Sequence, residues 1–181
     1  MRSDNPWETL SSKVIYKNPW MSIREDKVIT PSGPEGIYGY LESKDSVMVV
    51  VVNEKNEVYI IHTFSYPDTS WNWELPGGNS DGEDVAEASK RELVEETGIT
   101  ANAWTLLGKT RVCNGFMTEK MATYLAQDLR YGEKAGSDDA DIITEGKFVP
   151  FGTIDQMIEK GEINDGQSLT ALYLARRHLS L

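Results

Sequence analysis

Four residues within six positions, Arg91, Glu92, Glu95 and Glu96, crowd three acids and a base into one short stretch. On a helix advancing about 100° per residue, taking Glu92 as zero, Glu95 falls near −60° and Glu96 near +40°. The three acids therefore fan over one face about 100° wide, and Arg91, four residues before Glu95, stands beside it. Like charges at these spacings repel by roughly 0.2–0.5 kcal/mol per pair. Arg91 offsets one such pair, and a divalent cation would turn the remaining repulsion into attraction. Mg²⁺ takes oxygen ligands octahedrally and is commonly shared between one or two carboxylates, waters and a substrate phosphate. The bland alternative for these acids is a solvated helix end.

The elements that must hold these residues are legible around them. Asp84 followed by Glu87 has capping-box spacing and Gly98 suits a helix C-terminus, which predicts a helix over roughly 84–97. Strands are expected at 13–18, 21–30 and 37–43. Further strands at 46–52 and 57–64 are joined through "NEKN" as a buried hairpin. Strands at 103–113, 120–129 and 142–151 follow, with a polar acidic loop at 130–141. Thr153 and Gln156 form a second capping-box pair, opening a short helix over "IDQMIEKG", and a last helix spans 168–179. Helices on both faces of a mixed sheet make an α/β (α+β) sandwich.

Bulk properties narrow the function. At 181 residues and a net charge of −11, the chain suits a globular fold and disfavours binding to nucleic acid or to an anionic membrane surface. A bound divalent cation would still admit an anionic substrate. The single cysteine, Cys113, excludes a disulfide framework and reads as a small buried thiol. His62 and His178 lack metal-ligand spacing and read as structural. The N-terminal stretch has no apolar h-region and the longest apolar run, 47–52, is too short for a membrane span, so a cytoplasmic protein is expected.

Gly77, Glu83, Arg91, Glu92, Leu93, Glu95, Glu96, Gly98 and Ile99 together satisfy G-x5-E-x7-R-E-U-x-E-E-x-G-U, where U is apolar. This is the Nudix box, and the chain resembles the Nudix hydrolases. The stretches 18–42, 73–78, 114–126 and 163–175 resemble the ADP-ribose pyrophosphatases and related nucleotide-sugar hydrolases within that family.

The resemblance implies a Nudix α/β/α sandwich over 46–181, with the box at 77–99 and an N-terminal antiparallel β-arm at 1–45 that exchanges across a homodimer. It implies a Mg²⁺ cofactor, with Mn²⁺ as a substitute, held by Glu92, Glu95 and Glu96 and by a backbone carbonyl of Pro76, Gly77 or Gly78. Arg91 would orient the glutamates and Glu83 brace the loop. The base would come from the loop before the last strand, where Asp138, Asp139, Asp141 and Glu145 stand. Trp71 and Trp73 would stack on a base or pack as core. Glu74, Asn114, Gly115 and Glu119 complete the expected substrate contacts. The implied reaction is Mg²⁺-dependent hydrolysis of the pyrophosphate of nucleoside diphosphate sugars such as ADP-ribose.

Thr63 and Ser65 stand where ADP-ribose enzymes often carry Gln and Arg, and Asn114 replaces a Pro before Gly115. These departures leave a wider nucleotide-sugar range open. Hydrolysis of triphosphates, dinucleoside polyphosphates or a coenzyme is the enzymatic alternative. A noncatalytic nucleotide-sensing module is the alternative from another class.

Overall fold

The computed structural model describes residues 5–133 and 142–181. These residues fall into two compact units. The first joins residues up to Lys44 with the Arg111–Lys120 segment. It is an antiparallel meander of β1 (Glu8–Lys17), β2 (Ser22–Ile29) and β3 (Glu35–Glu42) in that order. The turn between β2 and β3 closes through Gly33, whose φ of 108° suits glycine alone among common residues. Leu41 is tied to the later segment by Leu41 N–H to Phe116 O (2.9 Å) and Thr118 N–H to Leu41 O (3.0 Å). Every residue of β1 is exposed, including Leu10, Val14, Ile15 and Tyr16.

The second unit contains Asp45–Thr110 and Met121–Leu181. Its strands are β4 (Ser46–Val51), β5 (Glu57–Ser65), β6 (Ser70–Glu74), β7 (Gly77–Asn79), β8 (Ile99–Arg111), β9 (Lys120–Tyr131) and β10 (Ile143–Pro150). Its helices are α1 (Val85–Thr97), α2 (Phe151–Glu159) and α3 (Gly166–Leu179). One sheet runs β7-β4-β9-β8, with β4 parallel to β9 and antiparallel to β7, so it is mixed as expected. The other runs β10-β5-β6, with antiparallel pairing throughout. β4 is buried at all its positions, as its unbroken apolar run requires. Val47 packs with Ala88 of α1 and Ala122 of β9, while Val49 and Val51 join Leu93, Ile99 and Ala126. The opposite face of β4 is covered by α3.

The expected hairpin between 46–52 and 57–64 is corrected. Its turn is present: Asn53 Oδ1 accepts from Lys55 and Glu57 N–H, and Asn56 takes a φ of 57°. The pairing stops at a single Val52–Val58 bridge. Both edges of β4 are filled by β7 and β9, so β5 has no edge to join and builds the second sheet with β10 and β6.

Three smaller expectations also change. α2 begins at Phe151 behind Pro150 and makes no side-chain cap, so Thr153 and Gln156 are not a capping box. α3 starts two residues early because Asp165, whose carboxylate accepts from Gln167 and Ser168 N–H, caps it. Cys113 is exposed rather than buried, because it opens a turn in which its carbonyl accepts from Phe116 and Met117 N–H.

Candidate metal centre

α1 begins and ends where the spacing predicts. Asp84 accepts from Ala86 N–H, and Gly98 turns left-handed at φ 70° with its N–H bonded to Val94 O. Glu87 does not close a capping box and pairs with Lys90 at 2.7 Å instead. The helix buries Ala88, Ser89, Glu92, Leu93, Glu96 and Thr97. Two of the three candidate acids therefore lie in the buried seam: Glu92 is 8% exposed and Glu96 7%.

Two glycines of β7 make room for them. A Cβ on Gly78 would lie 2.7 Å from the Glu92 carboxylate, and one on Gly77 would lie 2.2 Å from Val47 O and 2.6 Å from Met48 Sδ. Any side chain at Gly77 meets backbone that cannot give way. Gly77 N–H donates to Glu96 Oε2 at 2.8 Å. In the β4–β7 ladder, Val49 N–H donates to Pro76 O at 2.8 Å, while Gly77 sits opposite Met48 between ladder bonds. N–H and C=O of one strand residue leave on the same side. The Gly77 carbonyl is thus turned away from β4, toward the side from which Glu96 approaches, whereas the Pro76 carbonyl is engaged in the sheet.

Arg91 locks the remaining acids. Its Nε donates to Glu83 Oε2 at 3.2 Å and its Nη1 to Glu95 Oε2 and Glu92 Oε1, both at 2.9 Å; Nη2 donates to Asn79 O at 3.0 Å. Burial opposes the guanidinium charge, but the hydrogen bond to Glu83, the field of Glu92 and the bonds to Glu95 and Glu92 outweigh it and push its pKa above the usual range. One guanidinium thus sets the positions of three carboxylates and the end of β7.

Among the described residues, no group of three acids, histidines or cysteines is placed to hold a metal ion by itself. The candidate donors are instead two nearly buried carboxylates and an outward-turned carbonyl. That all-oxygen, half-open arrangement fits a hard divalent cation that keeps water or substrate phosphate in its remaining positions.

Comparisons with known proteins bear on the chain as a whole. The NUDIX domain family model matches residues 42–172, and the model of the nucleoside diphosphate sugar hydrolase N-terminal domain matches residues 7–41. This chain belongs to the NUDIX family. An ADP-ribose pyrophosphatase of Mycobacterium tuberculosis is 28% identical over 165 residues, 89% of this chain and 79% of that protein. The ADP compounds hydrolase NudE of Escherichia coli is 29% identical over 138 residues, 76% of this chain and 73% of that one. A crystal structure of an ADP compounds hydrolase shares the fold at a TM-score of 0.85 with 24% identity, covering 99% of this chain and 97% of that one.

The other candidate residues of this NUDIX chain are dispersed. Strand alternation places His62, Phe64, Trp71, Trp73 and Lys147 on one face of the β10-β5-β6 sheet. Tyr59 and Phe148 occupy the other face, where they pack against the cluster containing Leu93 of α1. Trp71 and Trp73 thus share a face that is not the α1 face. Lys147 Nζ lies 3.8 Å over the Trp73 ring, and His62 is wedged between Trp73 and Trp71 with centroids at 4.8 and 5.3 Å. His62 Nδ1 and Thr144 Oγ1 share a hydrogen bond of 3.0 Å. Trp71 is half exposed.

Glu145 is an exposed residue of β10, across from His62 and 3.6 Å from Lys147 Nζ. Asp138, Asp139 and Asp141 lie outside the described residues. Asn114, Gly115 and Glu119 belong to the first unit, where Gly115 O accepts from Tyr38 Oη at 3.1 Å. Glu74 is half-buried on β6; burial, joined by the carboxylates of Asp165 and Asp68, pushes its carboxyl up to about 7.

Two roles in the site are not among those expected from the sequence. Gly78 supplies the space that Glu92 occupies, and the Asn79 carbonyl is a ligand of Arg91. The paired glycines carried a signal for the first. Nothing in the residue types signalled the second.

Proposed function

We propose that this chain is a Mg²⁺-dependent nucleoside diphosphate-sugar hydrolase. Water attacks one phosphorus of the diphosphate, the bridging P–O bond breaks, and a nucleoside monophosphate and a sugar phosphate leave. The observation that carries this reading is the alignment at β7: the Gly77 N–H holds Glu96 while the Gly77 carbonyl leaves on the same side, with Glu92 seated against Gly78. Glu92, Glu96 and the Gly77 carbonyl would hold the cation, with Glu95 in support. When bound, Mg²⁺ would neutralise diphosphate oxygens and lower the pKa of the attacking water.

The chain's own residues do the rest. Arg91 fixes Glu92 and Glu95 so that no side-chain reorganisation is needed when substrate arrives, the form of electrostatic catalysis that depends on preorganisation. The attacking water must lose its proton to a base, for which Asp139 and Glu145 are the candidates. Substrate contacts are assigned to Trp71, Trp73, Glu74, Asn114, Gly115 and Glu119. The relatives' printed activities, ADP-ribose pyrophosphatase and ADP compounds hydrolase, support ADP-ribose as a substrate.

The reading includes a cytoplasmic homodimer formed through the arm and acting on no nucleic acid. A single exposed thiol suits a reducing compartment, and the apolar side chains along β1 suit a partner's surface. No helix among the described residues is long and apolar enough to cross a membrane.

The test is a panel of ADP-ribose, GDP-mannose and UDP-glucose incubated with Mg²⁺. At least one is expected to yield its nucleoside monophosphate; no product from any of them would defeat the proposal.

A further inference from the structure

In the second unit, two buried hydroxyls have no protein partner among the described residues: Ser46 Oγ and Thr123 Oγ1. Ser46 is 6% exposed and Thr123 0%. Both are fixed by strand register. Gly77 stands opposite Met48, and Met48 opposite Thr123; Asn79 stands opposite Ser46, and Ser46 opposite Met121. Val47 and Ala122 face Ala88 of α1, so Ser46, Met48, Met121 and Thr123 face the other way. Strand spacing puts the Thr123 Cα about 10 Å from that of Gly77, and the Ser46 and Thr123 Cα atoms about 8 Å apart.

The surroundings cannot satisfy these hydroxyls well. Their in-sheet neighbours on this face are Met48 and Met121, whose thioethers accept hydrogen bonds only weakly. The Met48 sulfur is also wedged against Gly77. A hydroxyl removed from water without a partner is destabilising, and buried polar groups in native interiors are nearly always satisfied. Where protein atoms do not serve, an ordered internal water does. A water accepting from one hydroxyl and donating to the other spans about 5.6 Å, which the two side chains can bridge from Cα atoms about 8 Å apart.

We infer that Ser46 and Thr123 form an internal solvent site between β4 and β9, one strand behind the box glycine. The site lets two polar residues face a buried layer, and it steadies the strand row that holds Gly77 in place.

Thr123→Val removes the hydroxyl at nearly constant volume, and Ser46→Ala removes the other. Were the hydroxyls dry, Thr123→Val would leave the melting temperature unchanged or raise it, because an unsatisfied group would be lost. The solvent site predicts the reverse. Each single substitution lowers the melting temperature by roughly 2–6 °C, and the double substitution lowers it by less than the sum, because both hydroxyls bind the same water. A high-resolution crystal structure of the unaltered protein should show solvent within hydrogen-bond distance of both oxygens. A dry site, strictly additive losses, or a Thr123→Val protein at least as stable as its parent would overturn the inference.

Discussion

Arg91 is the residue through which the site is organised. It contacts Glu83, Glu92, Glu95 and the Asn79 carbonyl at once, which a lysine cannot do with a single ammonium. Arg91→Lys should therefore lose nearly as much turnover as Arg91→Ala, on the order of 10²-fold. Steady-state kinetics of the two variants, with circular dichroism to check folding, would decide. Near-parental activity of Arg91→Lys would mean that charge alone matters. Glu74 offers a second prediction, on stability. Its carboxyl is raised from 4.5 to about 7, so the fold disfavours the charged form. Its contribution to stability is fully present below 4.5 and is lost as pH rises through about 7. Glu74→Gln should thus be stabilising at pH 8, on the order of 1–2 kcal/mol after allowing for solvent screening, and nearly neutral at pH 4. Thermal melts of both proteins at the two pH values test this, and equal shifts at both would contradict it. At this scale, spacing made the box acids and Arg91 legible. It could not make the burial of Glu92 and Glu96 legible, because that depends on a strand that passes them without side chains.

Elements decide which residues can meet. α1 was legible because its caps are local: Asp84 and Gly98 carry the information themselves. β7 was not, because three residues of glycine and asparagine carry no strand propensity and the strand exists only by pairing with β4. The hairpin failed for a related reason. The apolar run at 46–52 reads the same whether its neighbour is β5 or β9, and only the filled edges of β4 settle the matter. Trp71 and Trp73 show the limit of sequence proximity. They lie a few positions before the box, yet strand parity sends them to the face away from Tyr59 and the Leu93 cluster. β7 and α1 together yield the next prediction. Gly78→Ala places a methyl 2.7 Å from the Glu92 carboxylate, a flexible side chain end that can be displaced. It should cut turnover at least 10-fold with a modest loss of stability. Gly77→Ala meets Val47 O at 2.2 Å and should lower the melting temperature by several degrees more. The reverse ranking of the two melting temperatures would show that β7 is not packed as described.

For the whole molecule, the α+β architecture, the arm and the family were legible in the sequence. A homodimer is an expectation that rests on the resemblance. β1 is exposed along its entire length and carries Leu10, Val14, Ile15 and Tyr16, so a second copy covering it is the expected state. Sedimentation equilibrium should return twice the 20.3 kDa chain mass; a monomer at micromolar concentration would remove the arm from the interface. The claim on which all else depends is that Glu96, held by the Gly77 N–H, belongs to the cation site of a diphosphate hydrolase. The direct measurement is the kcat of Glu96→Gln, relative to the parent protein, on the best substrate of the nucleotide-sugar panel across a Mg²⁺ titration. A fall of roughly 10³-fold or more at saturating Mg²⁺, with the fold retained, is expected. Parental turnover by Glu96→Gln would contradict it.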